Sequence, residues 1–379
     1  MNKKLVTLAV AAALAAPAAA MADATLYGKL NVAIDYVDQD NGFQGWGLSG
    51  NKGTTGFAYN GVVRNPFLTT TQGPASRIGV KGSEDLGNGL KAIYQVEFGI
   101  SLTDTQNTAV SGNEPVTMRN SYVGLAGDWG TFLMGRHDTP LKISTGPLDL
   151  FADTMADYSN TVGFMDLRAD NAIAYISPSF AGLQFAGAVH AGGGAMVSGY
   201  NNDADSIANA YSLAAIYKNG PWYGSLAYEN LDHELATTSD FAEDFGKWRV
   251  GLGILDWAGF TLTGIYENWD NGVWVDNLDG DLWQLQAGYA FGNFMIKGMY
   301  GDSQVDLPDG GNYNWDTWAI GFDYNMSKRT KAFMLYTNNS ADEMPSGLPI
   351  YAPNTCDPAV NATCSIDWSG FQLGVMHNF

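Results

Sequence analysis

"DLWQLQAGYAF", residues 281–291, alternates large apolar side chains with small or polar ones. Trp283 and Leu285 fall on one face, and Gln284 and Gln286 fall on the other. Since successive side chains of a β-strand point to opposite faces, this period of two predicts a strand with one apolar and one polar face. The same alternation recurs in "TLYGKLNVAIDY" (25–36), "KWRVGLGIL" (247–255) and "DTWAIGFDYN" (316–325).

Very short connections alternate with long polar segments along the whole chain. The short ones lie near 86–89, 128–130, 179–182, 219–221, 257–259, 292–293 and 326–328. The long ones are centred near 38–74, 102–115, 138–167, 192–206, 231–245, 269–279, 304–313 and 339–364. Strict alternation of this kind is what an up-and-down barrel produces when its turns lie on one rim and its loops on the other. It predicts sixteen strands.

The two faces of these strands indicate which side meets water. A soluble barrel fills its interior with apolar side chains, whereas here the second face is small and polar, and aromatic residues cluster at the strand ends. That distribution is typical of a membrane barrel with an apolar outer band, aromatic girdles and a polar lumen. A closed barrel of this size leaves an aqueous channel. The sequence therefore predicts an all-β fold, a transmembrane 16-stranded antiparallel up-and-down β-barrel.

The N-terminus has the three parts of a secretory signal peptide: Lys3 and Lys4, the apolar run "LVTLAVAAALAA" (5–16), and "AMA" at 20–22. The apolar run is shorter than the roughly 20 residues that a membrane-spanning helix needs. We predict a signal peptide over 1–22 and a barrel over 23–379, with cleavage after Ala24 as the alternative.

Composition excludes several classes of function. The chain carries 19 Lys and Arg against 39 Asp and Glu, which argues against a nucleic-acid partner. Only four histidines occur and no G-x-S-x-G motif, so an enzyme is not expected, nor is a cofactor. In an exported protein Cys356 and Cys364 most often close a small disulfide loop, and no metal site is expected around them.

The C-terminus, "FQLGVMHNF" (371–379), ends within a strand pattern instead of a polar tail. Because the last strand of a closed barrel must pair with the first, the terminus is expected to be held in the sheet. Phe371, Leu373 and Val375 would face lipid together with Phe379, and Phe379 is the expected assembly signal. His377 would lie on the same side, near the interface.

Several segments resemble the Gram-negative general porins, in particular their proteobacterial branch. The segments are "TLYGKL" (25–30), "ASRIGVKGSEDLGNGLKAIYQVEF" (75–98), "RNSYVGLAGDWGTFLMGRHDTP" (119–140), "GPLDLFADTMADY" (146–158) and "DLRADNAIAYISPSFAGLQF" (166–185). The resemblance implies homotrimers in the outer membrane, each barrel having its own pore for passive diffusion of small hydrophilic solutes and ions. It implies an inward-folded third outer loop that narrows the pore. It also implies lipopolysaccharide, outer-membrane lipid and the barrel assembly machinery as partners. The chain lacks the proline-glutamate-phenylalanine-glycine motif of the enterobacterial members.

The third long loop, 138–167, is the candidate constriction. Asp149, Asp153 and Asp157 recur every fourth residue, so one short helical face would present them together. A solvated acidic helix on the outside is the alternative. The apolar residues of the loop are expected to pack on the barrel wall, and they are Leu141, Ile143, Leu148, Leu150, Phe151 and Met155.

Basic residues on the polar faces of the early strands would oppose these carboxylates. Strand parity and the porin motifs together select Lys29, Arg77, Lys81, Arg119 and Arg168, although parity alone does not decide Arg119. A charge that faces lipid costs about 2–4 kcal/mol near the midplane, which favours positions inside the barrel. Opposed rows of charges set selectivity in pores.

Weaker candidates and alternatives accompany this hypothesis. Arg136 and Lys142 lie beside the base of the loop. Acidic outer loops favour a weak preference for cations, although the basic residues act in the other direction. A specific calcium site is not expected in those loops. A substrate-specific channel with a ladder of aromatics is the alternative function, and it is disfavoured because only Tyr27 and Tyr223 point inward by parity.

Overall fold

The structure is a computed structural model. It describes residues 24–39, 54–59, 75–100, 102, 116–192, 206–235, 243–342, 344–345, 363–364 and 367–379. The predicted signal peptide and Cys356 lie outside these residues, as does the side chain of Cys364. The signal peptide and the disulfide therefore stay predictions.

Strands make up most of the described chain. They are β1 (Thr25–Gln39), β2 (Thr54–Tyr59), β3 (Arg77–Gly87), β4 (Leu90–Ile100), β5 (Val116–Met118), β6 (Ser121–Gly127), β7 (Gly130–Asp138), β8 (Arg168–Ile176), β9 (Leu183–His190), β10 (Ala210–Asn219), β11 (Trp222–Leu231), β12 (Phe245–Trp257), β13 (Phe260–Asp270), β14 (Asp279–Phe291), β15 (Phe294–Asp306), β16 (Asn312–Asn325), β17 (Thr330–Ala341), β18 (Met344–Pro345), β19 (Thr363–Cys364) and β20 (Trp368–Asn378). The helices are α1 (Pro140–Thr145) and α2 (Tyr158–Thr161), with 3₁₀ turns at Gly146–Leu148, His233–Leu235 and Gly272–Trp274.

Seventeen of these strands build a closed antiparallel barrel that counts as 16-stranded, because β5 and β6 are two pieces of one strand that pairs with β4. The barrel closes where β20 pairs with β17 on one side and with β1 on the other, from Lys29 opposite Asn378 to Gln39 opposite Trp368. The backbone of Phe379 exchanges two hydrogen bonds of 3.1 Å with Gly28. The predicted strand number, antiparallel order and closure through the C-terminus are confirmed.

One strand was not predicted. β2 lies inside the long segment 38–74 and pairs with the second half of β1, from Ile34 opposite Tyr59 to Gln39 opposite Thr54. Because β3 pairs with β1 only as far as Lys29, the second half of β1 has an edge that β3 does not cover. A free strand edge is a template for further pairing, and β2 covers it.

The alternation of exposure along β14, β16 and β20 confirms the predicted direction of the apolar face. On β14, Leu285 is 54% exposed, whereas Gln284 and Gln286 are buried. On β16, Ile320 is exposed and Ala319 is buried. Phe371, Leu373 and Val375 are likewise exposed on β20. We call the side that carries the exposed apolar residues the outer face, and the other side the inner face. In the described part of the chain no helix is both long and apolar enough to cross a bilayer.

The inner face also carries apolar residues that the sequence analysis did not anticipate. Trp269, Tyr313, Trp315 and Trp368 are buried there, near the ends of their strands that lead into the long loops. They belong to one buried cluster with Phe151 and other residues of the 139–167 loop. The interior of this barrel is therefore partly a packed core, made by a loop against the wall.

Candidate functional site

The loop 139–167 begins with α1. The N-cap residue Thr139 accepts a hydrogen bond of 3.4 Å from the backbone N–H of Lys142, and Pro140 occupies the first turn, where its missing N–H costs nothing. Asp157 caps α2 by accepting from the backbone N–H of Ser159 at 3.0 Å. Between residues 149 and 157 the chain forms turns. The prediction of one helical face that presents Asp149, Asp153 and Asp157 together is therefore wrong.

The apolar residues of the loop pack on glycines of the inner face. A Cβ atom placed on Gly251 would lie 2.5 Å from Leu148 Cδ1, and one on Gly370 would lie 2.4 Å from Met155 Sδ. At Gly321 the nearest atom would be Phe151 Cε1, at 2.9 Å. Such distances are below any normal contact, so these positions admit the loop only because they lack side chains. The expected packing of the loop's apolar residues on the wall is confirmed for these three.

Polar side chains of the inner face satisfy the backbone of the loop. Gln286 accepts a hydrogen bond from the N–H of Leu150 at 2.6 Å, and Gln372 accepts one from the N–H of Met155 at 2.9 Å. The indole N–H of Trp315 donates to the carbonyl of Thr161 at 3.0 Å. These bonds run to β14, β16 and β20, so the loop is attached to the wall at three separate strands. Buried backbone groups need such partners, which explains the Gln residues on the polar face.

Asp153 is the loop carboxylate that meets the predicted basic residues. Its Oδ2 atom lies 2.5 Å from Lys29 Nζ and 3.2 Å from Arg77 Nη1, and its carbonyl accepts from the side-chain amide of Asn31 at 2.7 Å. Burial acts to raise the pKa of Asp153, but the charges of Arg77 and Lys29 outweigh it and hold the pKa at about 2. Asp153 is therefore ionised at neutral pH and joins the loop to β1 and β3.

Asp149 and Asp157 have a different role, because both hold the loop's own fold. Asp149 is buried and accepts hydrogen bonds from the backbone N–H groups of Phe151 and Tyr158 and from Gln286. Burial first, and then the charge of Asp157, raise the pKa of Asp149 to about 7. Burial likewise raises the pKa of Asp157, whose Oδ2 accepts from the N–H of Asp153.

Two further predicted basic residues pair with carboxylates of the wall. Arg119 Nε lies 2.7 Å from Glu97 Oε1, and the other oxygen of Glu97 accepts from the hydroxyl of Tyr27 at 2.9 Å. Arg168 Nε lies 2.9 Å from Asp138 Oδ1. We call the set of Lys29, Arg77, Arg119 and Arg168 with the loop carboxylate Asp153 the charged zone.

The remaining candidates lie outside this set. Lys81 is exposed, with its ammonium group 4.9 Å from the ring centre of Tyr27, and the described residues offer it no carboxylate partner. Lys142 lies 3.4 Å from Asp138 Oδ1. Arg136 pairs with Asp170 at 2.5 Å and donates to the backbone carbonyl of Met118, so its partners are not members of the charged zone.

Sequence reasoning missed a second group of charges, which is buried beneath the loop. Arg249 lies between Glu267 on β13 and Asp166 in the loop, and Lys247 lies 2.9 Å from Glu229. On β15, Lys297 lies 3.1 Å from Asp323 and donates to the carbonyl of Leu150. Parity did place Arg249 on the inner face, but nothing in the sequence shows that the loop covers it.

One cluster has the composition of a metal site. Asp232, His233 and Asp244 have potential ligand atoms within 4.8 Å of one another, in the connection between β11 and β12. The three are partly or fully exposed, and His233 Nδ1 lies 3.0 Å from Asp244 Oδ1. A histidine–carboxylate hydrogen bond accounts for this arrangement.

A closed antiparallel barrel with an apolar outer face, a charged inner face and an attached loop defines a channel of the outer-membrane type. Comparison with known proteins supports the same class of protein. The family model described as Gram-negative porin matches residues 7–343. The major outer membrane protein P.IB of Neisseria meningitidis serogroup B, serotype 15, is 30% identical over 344 residues, which cover 88% of this chain and 92% of that protein. An outer membrane porin protein of Bordetella pertussis is 28% identical, over 90% of this chain and 95% of that protein.

Among solved structures, an anion-selective porin from Comamonas acidovorans superposes with a TM-score of 0.67 at 21% identity, covering 94% of this chain and 99% of that chain. The chain belongs to the Gram-negative porin family. It is an outer-membrane porin that forms a channel for passive diffusion.

Proposed function

We propose that this porin is a general diffusion pore whose narrowest part lies beside the contact of the loop 139–167 with the basic residues of the charged zone. The support is the position of Asp153, which lies on the loop and within 3.2 Å of basic side chains from β1 and β3. The side chains of Lys29, Arg77 and Asp153 keep 15–25% of their surface exposed, so their charges create a field in the water beside them. Oriented water in such a field is costly for an apolar solute to displace, whereas a small hydrophilic solute or ion passes with little loss of hydration.

The balance of charge leads us to propose a preference for anions, in place of the weak cation preference that composition favours. Six basic side chains lie in or beside the charged zone, and three carboxylates, namely Glu97, Asp138 and Asp153, pair with five of them. Asp149 is buried and its pKa is raised to about 7, so it adds little negative charge to the bore. The exposed ammonium group of Lys81 is the single observation that carries this proposal, because no described carboxylate offsets it.

Family membership supports further proposals about assembly. We infer a homotrimer in which each barrel conducts separately, with lipopolysaccharide and lipid around the outer face and the barrel assembly machinery as the folding partner. The strand lengths fit an outer-membrane location, since most strands reach the roughly 9–11 residues that cross a bilayer. The exposed apolar side chains of the outer face fit it too. The proposed activity is passive diffusion of solutes through the channel, and not an enzymatic reaction.

A substrate-specific channel remains the second candidate, and one observation speaks against it. Of the two inward aromatics that parity selected, Tyr223 is buried and donates its hydroxyl to the carbonyl of Ser144 in the loop, so it is not a contact for solute. Tyr27 is engaged with Glu97. A sugar-binding ladder needs a row of accessible rings, which the described inner face does not offer.

Planar-bilayer recording under a KCl gradient tests the proposal. Purified protein is expected to insert in steps of three equal conductance levels, with a reversal potential of the sign that indicates anion permeation. Lys81→Gln should move that potential toward cations. A reversal potential that already favours cations in the wild-type protein would overturn the anion preference, and absence of channel steps would overturn the pore itself.

A further inference from the structure

Arg249 lies in the middle of β12, fully buried, and contacts both ends of the loop. Its Nη1 atom donates to the hydroxyl of Thr145, the last residue of α1, at 3.0 Å. The same atom lies 2.7 Å from Asp166 Oδ1, two residues before β8 begins. Its Nε atom donates to Glu267 on β13 at 2.6 Å. One guanidinium group therefore connects the outgoing limb, the returning limb and the wall.

The neighbours of Arg249 extend this junction. Asp166 also accepts from the hydroxyl of Tyr158 at 2.8 Å, and the guanidinium carbon lies 5.3 Å from the ring centre of Phe164. The backbone N–H of Met165 donates to Glu267 at 3.1 Å. Both oxygens of Asp166 and both oxygens of Glu267 are thus engaged, and the partners come from the loop and the wall together.

We propose that Arg249 is a positioning residue for ion selection, acting through Asp153. Residues 146–165, which include Asp153, lie between its two loop contacts. Arg249 therefore holds the two ends of this segment together against the wall. An arginine suits this task because its planar fork donates in several directions at once, whereas a lysine supplies one compact charge. The inference rests on the proposed function, since it assigns a cause to the position of the carboxylate in the charged zone.

Loss of the Arg249 guanidinium group has a defined consequence. Without Arg249 the carboxylates of Asp166 and Glu267 remain buried and lose their shared partner. A buried charge without a partner destabilises the packed arrangement and favours one that exposes the charge to water. The limbs of the loop are then expected to separate from the wall, and Asp153 leaves Lys29 and Arg77. The basic residues that stay on the wall would dominate the pore, which predicts a shift of the reversal potential toward anions.

A double-mutant cycle separates positioning from general damage. Reversal potentials are measured for wild type, Arg249→Met, Asp153→Asn and the double variant, with Arg249→Lys as the partial rescue. Each single variant is expected to shift the potential toward anions. In the Asp153→Asn background, Arg249→Met is expected to add no further shift, because the charge that it positions is already absent. Arg249→Lys should give an intermediate shift.

Lys218→Met is the control for removal of a cation, since Lys218 is exposed at the end of β10, beside the short turn that leads to β11. It should leave the potential unchanged. Additive shifts in the double variant, or a wild-type potential in Arg249→Met that still forms channels, would overturn the positioning role. If Arg249→Met does not assemble, Asp166→Asn tests the same junction from the loop side, and an unaltered reversal potential in that variant overturns the proposal equally. These outcomes differ from failure of the proposed function, in which the wild-type protein itself forms no channel.

Discussion

Replacing Asp153 by asparagine tests how the charged zone selects ions. The variant keeps the shape of the side chain and the carbonyl that accepts from Asn31. It removes the negative charge that lies 2.5 Å from Lys29 and 3.2 Å from Arg77. Because these two cations then lose their shared partner, the net positive charge along the permeation path rises by one unit. We expect anion permeability to rise relative to cation permeability.

The size of the shift follows from Coulomb's law. A unit charge acting on an ion about 5 Å away in water contributes about 0.8 kcal/mol, which screening at ~0.1 M salt reduces to about 0.5 kcal/mol. The change favours anions and disfavours cations by this amount, so the ratio of their permeabilities shifts by about 1 kcal/mol, or roughly fivefold.

Reversal potentials in planar bilayers measure this ratio directly. Asp309→Asn is a suitable control because Asp309 is exposed and accepts a hydrogen bond from the N–H of Gly311 within its own turn, between β15 and β16. Asp149→Asn is predicted to have little effect on selectivity, since that carboxyl is buried. If Asp153→Asn assembles normally and its reversal potential equals that of the wild type, Asp153 does not face permeating ions and the placement of the charged zone is wrong.

Three further predictions concern packing, pH and assembly. Gly301→Val places its Cβ 2.5 Å from Val162 Cγ2 in the loop, and overpacking of this kind costs about 1–3 kcal/mol. The heat-induced unfolding temperature should fall, whereas Gly298→Val on the outer face of the same strand should leave it nearly unchanged. The native pKa of Asp149, raised to about 7, means that its protonated form stabilises the fold at acidic pH, and that this contribution disappears as pH rises from about 4 through about 7. The unfolding temperature of the wild type should therefore fall over this pH range, and the Asp149→Asn variant should lack this fall. Deleting Phe379 removes the two hydrogen bonds that end the β1–β20 seam, so less heat-modifiable folded protein should form, whereas Phe379→Tyr should assemble normally.

The architecture was predictable because its signals are local and repeated. A period of two fixes which side chains share a face, and the alternation of short and long connections fixes the strand number. The first strand shows this well: Leu26 and Ile34 are exposed, and Asn31 and Asp35 are buried, as their parity requires. Closure followed from the same logic, since a strand pattern that runs to the last residue needs a partner. Parity also placed Lys29 and Arg77 on the correct face, and their partner Asp153 was among the carboxylates selected.

The contents of the inner face were less predictable, because they depend on where a distant loop lies. By sequence alone Arg249 and Arg77 are equivalent inner-face arginines. In the structure Arg249 is fully buried under the loop, and Arg77 keeps a quarter of its side-chain surface exposed beside Asp153. Parity assigns a face to a side chain and carries no information on what covers that face. The buried aromatic residues, such as Trp269 and Trp315, were missed for the same reason.

The three loop aspartates show why spacing alone misled. A four-residue interval brings side chains together only if the backbone is helical, and Asp153 lies in a left-handed conformation with φ of 62°. That single turn directs one carboxylate to the basic wall and leaves its two neighbours to bind backbone N–H groups. Of these three aspartates, two hold the shape of the loop and one contacts the basic residues of the wall. Under the proposed function, selectivity depends on this backbone turn and its anchorage, and Asp149 and Asp157 add little to the charge that a permeating ion meets.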